Sequence, residues 1–354
     1  MTEKKAQEII RAYPVQDWAD KDPMTIPCHE TSDAERLCKN PVVSVKMITY
    51  NHEPYIRQAI EGVMMQKTDF EFELVIGEDC STDRTREICF EYQKKYPDKI
   101  RVLWSEENLY QHPHPAGDNS RRTAAHCRAD LVALIEADDY WTDPTKLQRQ
   151  VDVMRRYPDV SLCVHPYVEL RGNGVFSSSM SEWARVEQAV KESPDEDGFK
   201  FSEADDFLVY QTTTAMCRAS LFDFDFYNRA KFHCDIVRFH AALRKGRGYF
   251  INREMSVYRI GDQGVFSRMG KRAQYEWNLR YKWAIYDADP CPMTEKSYRR
   301  AIRVFRNVEF PRSVLLPLRR KMTTAVRQLF HLGDSRAPTK FNRFLDRLLF
   351  ALKH

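Results

Sequence analysis

Apolar residues in this chain come in short, nearly continuous runs, separated by stretches where they recur every three or four positions. Val42-Val-Ser-Val-Lys-Met-Ile48, Phe72-Glu-Leu-Val-Ile76, Ile100-Arg-Val-Leu-Trp104 and Leu131-Val-Ala-Leu-Ile135 are too short for helices. They are rich in β-branched residues, which predicts strands buried on both faces. Between the first two, Ile56, Ala59, Ile60, Val63 and Met64 take the i, i+3, i+4, i+7, i+8 spacing of one helical face. A second helix is expected over 84–96, opened by the capping residues Ser81-Thr-Asp83, and a third through Ala124, Ala125 and Cys127. Strand and helix alternating in this way predict an α/β fold, a mostly parallel sheet with helices on both faces.

Beyond this, a helix is expected over 144–154 with Leu147, Val151 and Met154 inward. Strands are expected at 161–165 and 212–217, and a helix over 236–243. Two apolar segments, 249–251 and 256–258, follow. Residues 1–40 read as a short polar helix and a loop, and residues 171–204 as a polar loop. There is no internal repeat.

At 354 residues, with 43% apolar and 30% charged residues, the chain has the composition of a soluble globular protein with a large core. The first ten residues carry acids and no apolar h-region, unlike a secretory signal. No stretch approaches the roughly 18 apolar residues of a membrane span. Nine cysteines without a C-x-x-C pair point to a reducing, cytoplasmic setting, and Cys28, His29 and Cys38 match no common zinc spacing. The net charge of +4 is uneven: residues 294–354 hold 15 Lys/Arg against 4 Asp/Glu. The body is therefore mildly acidic, which argues against nucleic acid as a partner.

The basic tail also has a helical pattern. Phe341, Phe344, Leu345, Leu348, Leu349 and Leu352 share one face, and a second such segment spans Met322, Val326, Leu329 and Phe330 behind Arg319-Arg-Lys321. Cationic amphipathic helices of this kind lie on anionic membranes. Packing against the body or a second subunit, as a homo-oligomer, accounts for them equally well.

The run that ends in Glu136-Ala-Asp-Asp139 is a buried strand delivering carboxylates to the edge of a sheet, where open α/β folds bind ligands. Carboxylates there suit a hard divalent cation held against phosphate. The first strand ends in Tyr50-Asn-His-Glu53 with no glycine, which removes the dinucleotide and P-loop readings. Tyr50 offers a ring for a base, and Asp79 an acceptor for a base N–H or ribose hydroxyl. Arg121, Arg122 and Arg128 read as solvated helix-face residues, Asp143 as a helix cap, and Trp141 as packing beneath the site.

The succession Ile48-Thr-Tyr-Asn51, Glu78-Asp-Cys-Ser-Thr-Asp83 and Glu136-Ala-Asp-Asp-Tyr-Trp141 resembles family 2 glycosyltransferases of the GT-A fold. Met65-Gln-Lys67, Arg84-Thr-Arg-Glu-Ile88, Trp141-Thr-Asp-Pro144 and Lys146-Leu-Gln148 narrow the resemblance to a bacterial branch concerned with surface polysaccharides. It covers about residues 41–268.

The resemblance implies a Rossmann-like GT-A domain over 41–270, preceded by an extension (1–40) and followed by a basic helical region (271–354). It implies an inverting transfer from a nucleotide-diphosphate sugar, a UDP-sugar above all, to a saccharide or lipid-linked acceptor, with Mg²⁺ or Mn²⁺ as cofactor. Tyr50, Asp79 and Asp138 would contact the nucleotide, and Asp138, Asp139 and Glu136 the metal. Asp235 would be the catalytic base. Asp223, Asp225 and the Asp205-Asp206 pair are lesser candidates. Where relatives carry a histidine after Tyr-Arg-x, this chain has Gly261 followed by Asp262. That departure keeps open a second class of function, an inactive scaffold that binds a membrane or partner through its tail.

Overall fold

The computed structural model describes residues 3–12, 21–113, 117–179, 184–193, 195, 197–202, 211–222, 225–261 and 269–309. The amphipathic tail segments, Asp205, Asp206, Asp223, Asp262 and the side chain of Asp225 fall outside them. Two compact units form, one of residues 16–267 and one of residues 1–15 with 268–354.

Helix α1 (Glu3–Arg11) belongs to the smaller unit. In the larger unit an edge strand, β1 (His29–Thr31), runs antiparallel to β4 (Ile100–Trp104). Next to β4 come β3 (Phe72–Glu78), β2 (Val43–Thr49) and β5 (Leu131–Glu136), all parallel. The chain thus steps from β2 outward to β3 and β4, then returns to lay β5 on the other flank of β2. This reversal of strand order opens a crevice at the carboxyl ends of β2 and β5.

Both faces of this sheet are buried, as nearly continuous apolar runs require. Leu131, Ala133 and Ile135 of β5 join one core with α2 (Ile56–Met64), α3 (Thr85–Lys95) and α5 (Lys146–Arg156). Val132 and Leu134 point to the other core. Helix α4 (Asn119–Ala125) precedes β5, and the two-residue β6 (Tyr140–Trp141) follows it.

The sheet continues through β7 (Val160–Val164) and, after β8 (Val168–Arg171), β9 (Phe176–Ser178) and α6 (Ala184–Glu192), through β10 (Gly198–Phe201) and β11 (Met216–Arg218). Helices α7 (Asp225–Ala230) and α8 (Asp235–Lys245) lead into β12 (Arg247–Ile251) and β13 (Ser256–Ile260). The full order is β1-β4-β3-β2-β5-β11-β7-β12-β10, with β11 antiparallel to both neighbours. A second sheet, β6-β13-β8-β9, stems from the chain just beyond the acidic turn.

Three sequence expectations are corrected. Residues 171–204 are not a plain loop: they carry β9, α6 and β10, with Val186, Phe199 and Phe201 buried. Thr212–Thr214 is a 3₁₀ turn, because the Thr214 amide and hydroxyl both donate to the Gln211 carbonyl, at 2.9 and 2.8 Å; only Met216–Arg218 is strand. Arg121 and Arg122 are buried instead of solvated. Arg122 donates to the Glu78 carbonyl and to Asn119 Oδ1, so it braces α4 against β3.

In the smaller unit α1 packs with α9 (Lys271–Ala288) and α10 (Pro292–Glu309) around Ala6, Leu279, Tyr298, Ala301 and Phe305. Thr294 closes the turn between α9 and α10, its hydroxyl accepting from Cys291 N and donating to the Asp289 carbonyl. No described helix is long and apolar enough to cross a membrane.

Candidate active site

Three strand-to-helix junctions meet at the carboxyl edge of β3, β2 and β5. After β2, Tyr50 is half-buried and Asn51 turns the chain at φ 54°, a left-handed conformation that asparagine tolerates. His52 N donates to Thr85 Oγ1 at 2.8 Å, and Glu53 N to Asp83 Oδ2 at 3.1 Å. The first junction is thereby sewn to the second, and in each case an acceptor in the Ser/Thr/Asp-rich start of α3 satisfies an amide of the β2 loop.

After β3, Glu78 is fully buried; its carboxylate accepts from Ser81 N at 2.5 Å and pairs with Arg86 Nε at 2.6 Å. Asp79 is only 3% exposed and accepts from the amides of Leu109 (2.8 Å) and Tyr110 (3.0 Å). Burial raises its carboxyl above the usual range, and the two amides pull it back. Asp79 therefore holds the loop after β4 against the carboxyl end of β3. Each oxygen has a lone pair left for a ligand.

After β5, Ala137 N donates to the Ile48 carbonyl at 3.2 Å and Asp139 N to the Glu136 carbonyl at 3.0 Å, so the acidic turn is fixed to β2. Glu136 and Asp138 are half-buried, while Asp139 is 1% exposed. The Asp139 carboxylate accepts from Arg259 N at 2.9 Å, and burial, then the charge of Asp138, pushes it well above the usual range. Burial raises Glu136 as well and lowers its fully buried neighbour Lys46. Lys46 Nζ donates to Ser120 Oγ at 2.8 Å, a hydroxyl shared with Arg238 at 3.2 Å.

Asp235 opens α8. Ile236 N donates to its Oδ1 at 2.8 Å, so the side chain does cap-like work while half-exposed. Burial nonetheless raises its carboxyl, and the Ile236 amide and Arg238 lower it. Asp235 lies within electrostatic reach of Glu136. Tyr258 lies within reach of Asp138, Asp139 and Asp235 alike, and His52 within reach of Asp138. Glu136, Asp138, Asp139 and Asp235 thus share one neighbourhood beside β13. Asp79 and Tyr50 lie on the same sheet edge, the Asp79 amide donating to the Thr49 carbonyl at 3.0 Å.

Residue-type reasoning did not single out Lys46, His52 or Arg259. The one available signal was a lysine inside an otherwise apolar strand, since such a charge needs a partner. Trp141 packs beneath the turn, 2% exposed, with Nε1 donating to the Thr213 carbonyl at 2.9 Å. Asp143 accepts from Thr145 N at 2.7 Å at the start of α5.

Among the described residues, no three His, Cys, Asp or Glu side chains form a ready metal cage. Magnesium-like ions take one or two carboxylates and complete their shell with water and phosphate. The half-exposed Asp138 beside Glu136 fits that demand.

This sheet, with its strand reversal and acidic edge, is the GT-A-like glycosyltransferase fold. The profile of glycosyl transferase family 2 matches residues 44–227, over half of the chain, and the chain belongs to that family. An uncharacterized protein of Mycobacterium tuberculosis (strain ATCC 25618 / H37Rv) is 37% identical over 145 residues, 40% of either chain. The putative teichuronic acid biosynthesis glycosyltransferase TuaG of Bacillus subtilis (strain 168) is 35% identical over 116 residues, 32% of this chain and 42% of that one. The chain thus spans less than half the length of these two relatives. Residues 1–349 of S. aureus TarS, solved in complex with UDP-GlcNAc, share the fold with a TM-score of 0.54. That match is 19% identical and covers 77% of this chain and 74% of the other.

Proposed function

We propose that this chain is an inverting glycosyltransferase of cell-surface polysaccharide synthesis. It moves a sugar from a nucleotide-diphosphate donor, a UDP-sugar first, to a hydroxyl of a saccharide or lipid-linked acceptor. One observation carries the reading: Asp235, about 100 residues further along the sequence, shares one electrostatic neighbourhood with Glu136 and Asp138 at the strand reversal. The teichuronic acid assignment of TuaG and the UDP-GlcNAc complex of TarS support the substrate class.

In this mechanism Tyr50 stacks on the base, and Asp79 fixes the loop around the nucleoside. Asp235 takes the proton of the acceptor hydroxyl as its oxygen attacks the anomeric carbon. The bond from that carbon to the diphosphate oxygen breaks on the opposite face, and its electron pair leaves with the diphosphate. Burial makes Asp235 a better base than an exposed aspartate. Asp138, flanked by Glu136, would hold the Mg²⁺ or Mn²⁺, which supplies positive charge to the departing diphosphate.

The test is a panel of sugar nucleotides with and without Mn²⁺, read first by thermal shift and then by nucleoside-diphosphate release. One donor should stabilise the wild type and turn over. Asp235→Asn should keep the shift and lose turnover by 10²-fold or more, the scale of a general base. If no donor stabilises the protein, the enzyme reading fails and the scaffold reading, motivated by Gly261, takes its place.

A further inference from the structure

Asp138 and Asp139 are neighbours in sequence, yet the fold treats them differently. Strand β6 pairs with β13 only at Ser256↔Trp141 and Val257↔Tyr140. The amide of Arg259 therefore lies beyond the last rung of that ladder. The Asp139 carboxylate takes the place a strand carbonyl would have filled, accepting that amide at 2.9 Å. At 1% exposure its side chain is built into the sheet.

The Arg259 side chain then folds back over the turn. Its guanidinium donates to the Asp138 backbone carbonyl and to Gln58 Oε1 of α2. It lies 4.5 Å from the Tyr140 ring centroid and 5.0 Å from that of Tyr55. One residue thus ties β13, β6, α2 and the acidic turn together, and two aromatic faces restrict its rotamer. The Asp138 carboxylate takes no part in these contacts, although its backbone carbonyl does.

We propose that Arg259 and Asp139 are a positioning pair, which commits Asp139 to the scaffold and leaves Asp138 as the acid of this turn that meets the cation and the diphosphate. This deepens the glycosyltransferase reading and rests on it. Arginine is required because its planar fork reaches two acceptors while its faces stack on two rings. A lysine ammonium is a single point charge and does neither together.

The experiment titrates the full-length protein with UDP, and separately with GDP, by calorimetry, in Mn²⁺ and in EDTA. Asp138→Asn should weaken the Mn²⁺-dependent binding at least tenfold. Asp139→Asn keeps an oxygen for the Arg259 amide and should stay within threefold of wild type. Asp139→Ala and Arg259→Lys should lose at least tenfold, with the EDTA binding and the ligand-free melting temperature changed far less. Equal losses in Asp139→Asn and Asp138→Asn would show that both acids ligate and overturn the division of labour. Wild-type affinity in Arg259→Lys would remove Arg259 from it. A wild type that binds neither nucleotide in Mn²⁺ would sink the donor reading itself, an outcome distinct from both.

Discussion

Asn51 Oδ1 accepts the backbone amide of Thr82 at 2.8 Å, and the Asn51 amide donates to Ser81 Oγ at 3.0 Å. Two loops some 30 residues apart in sequence are buckled through one residue, by its side chain and its backbone amide, and that residue sits at φ 54°. Both halves of the role can be separated. Asn51→Ala loses the acceptor and puts alanine, which tolerates left-handed backbone less well than asparagine, at φ 54°. Together these should cost about 2 kcal/mol in urea unfolding. Asn51→Gly loses only the hydrogen bond and should recover about 1 kcal/mol of that. Donor affinity should fall in both variants if, as proposed, these loops frame the nucleoside. If Gly and Ala are equally stable, the backbone term is absent.

Gly62 marks the closest approach of α2 to the strand after the acidic turn. A Cβ built there would meet the backbone nitrogen and oxygen of Trp141, each at 2.9 Å. Backbone cannot swing aside like a flexible side chain, so Gly62→Ala must push α2 or β6 away. The expected destabilisation is about 1–3 kcal/mol, despite the better helix propensity of alanine. Because β6 continues directly from Asp138 and Asp139, turnover should fall with it. Denaturant midpoints and steady-state rates on one preparation check both.

Lys146 is fully buried. Its Nζ donates to Gln150 Oε1 at 2.7 Å and sits 3.9 Å from the Trp141 ring centroid. Burial pushes its ammonium down to about 7, whereas an unfolded lysine titrates near pH 10.4. Between those values the unfolded chain binds a proton that the folded chain lacks, so stability must rise with pH across that window. Below pH 7 both states are protonated and the penalty is complete. Lys146→Met lacks this term. The unfolding free energy of wild type minus that of the variant should therefore grow by on the order of 3 kcal/mol from pH 7 to pH 10. Other titrating groups cancel in the difference, and a flat difference would show that the ammonium is not depressed.

Much of the fold was legible because its central strands are two-sided. An apolar run of five residues such as Leu131–Ile135 has few alternatives, and the strands over 43–49 and 100–104 followed from the same logic. The parallel order followed from alternation with helices, and the GT-A assignment holds. Segment 171–204 was opaque because β9 and β10 are short and α6 buries little, so tertiary contacts decide where periodicity is silent. The threonine run 212–214 misled because its hydroxyls compete for backbone carbonyls. Arg121 and Arg122 misled because a guanidinium can be buried when its donors meet carbonyls.

At the site, strand-end position picked out the acidic residues, since a carboxylate closing a buried strand has a crevice as its natural surroundings. Residue type could not show that adjacent Asp138 and Asp139 part company. That outcome depends on where Arg259, some 120 residues later, needs an acceptor. The contributions of Lys46 and His52 were equally invisible, since each is defined by what the fold sets beside it.

The smaller unit assembles its core from both ends of the sequence. Helix α1 contributes Ala6 to a centre otherwise drawn from α9 and α10, which begin about 260 and 280 residues later. At roughly 5–20 residues per second of synthesis, α1 leaves the ribosome on the order of tens of seconds before its partners exist. Its apolar stripe, Ala6 with Ile9 and Ile10, therefore has no native cover until both of those helices have been made.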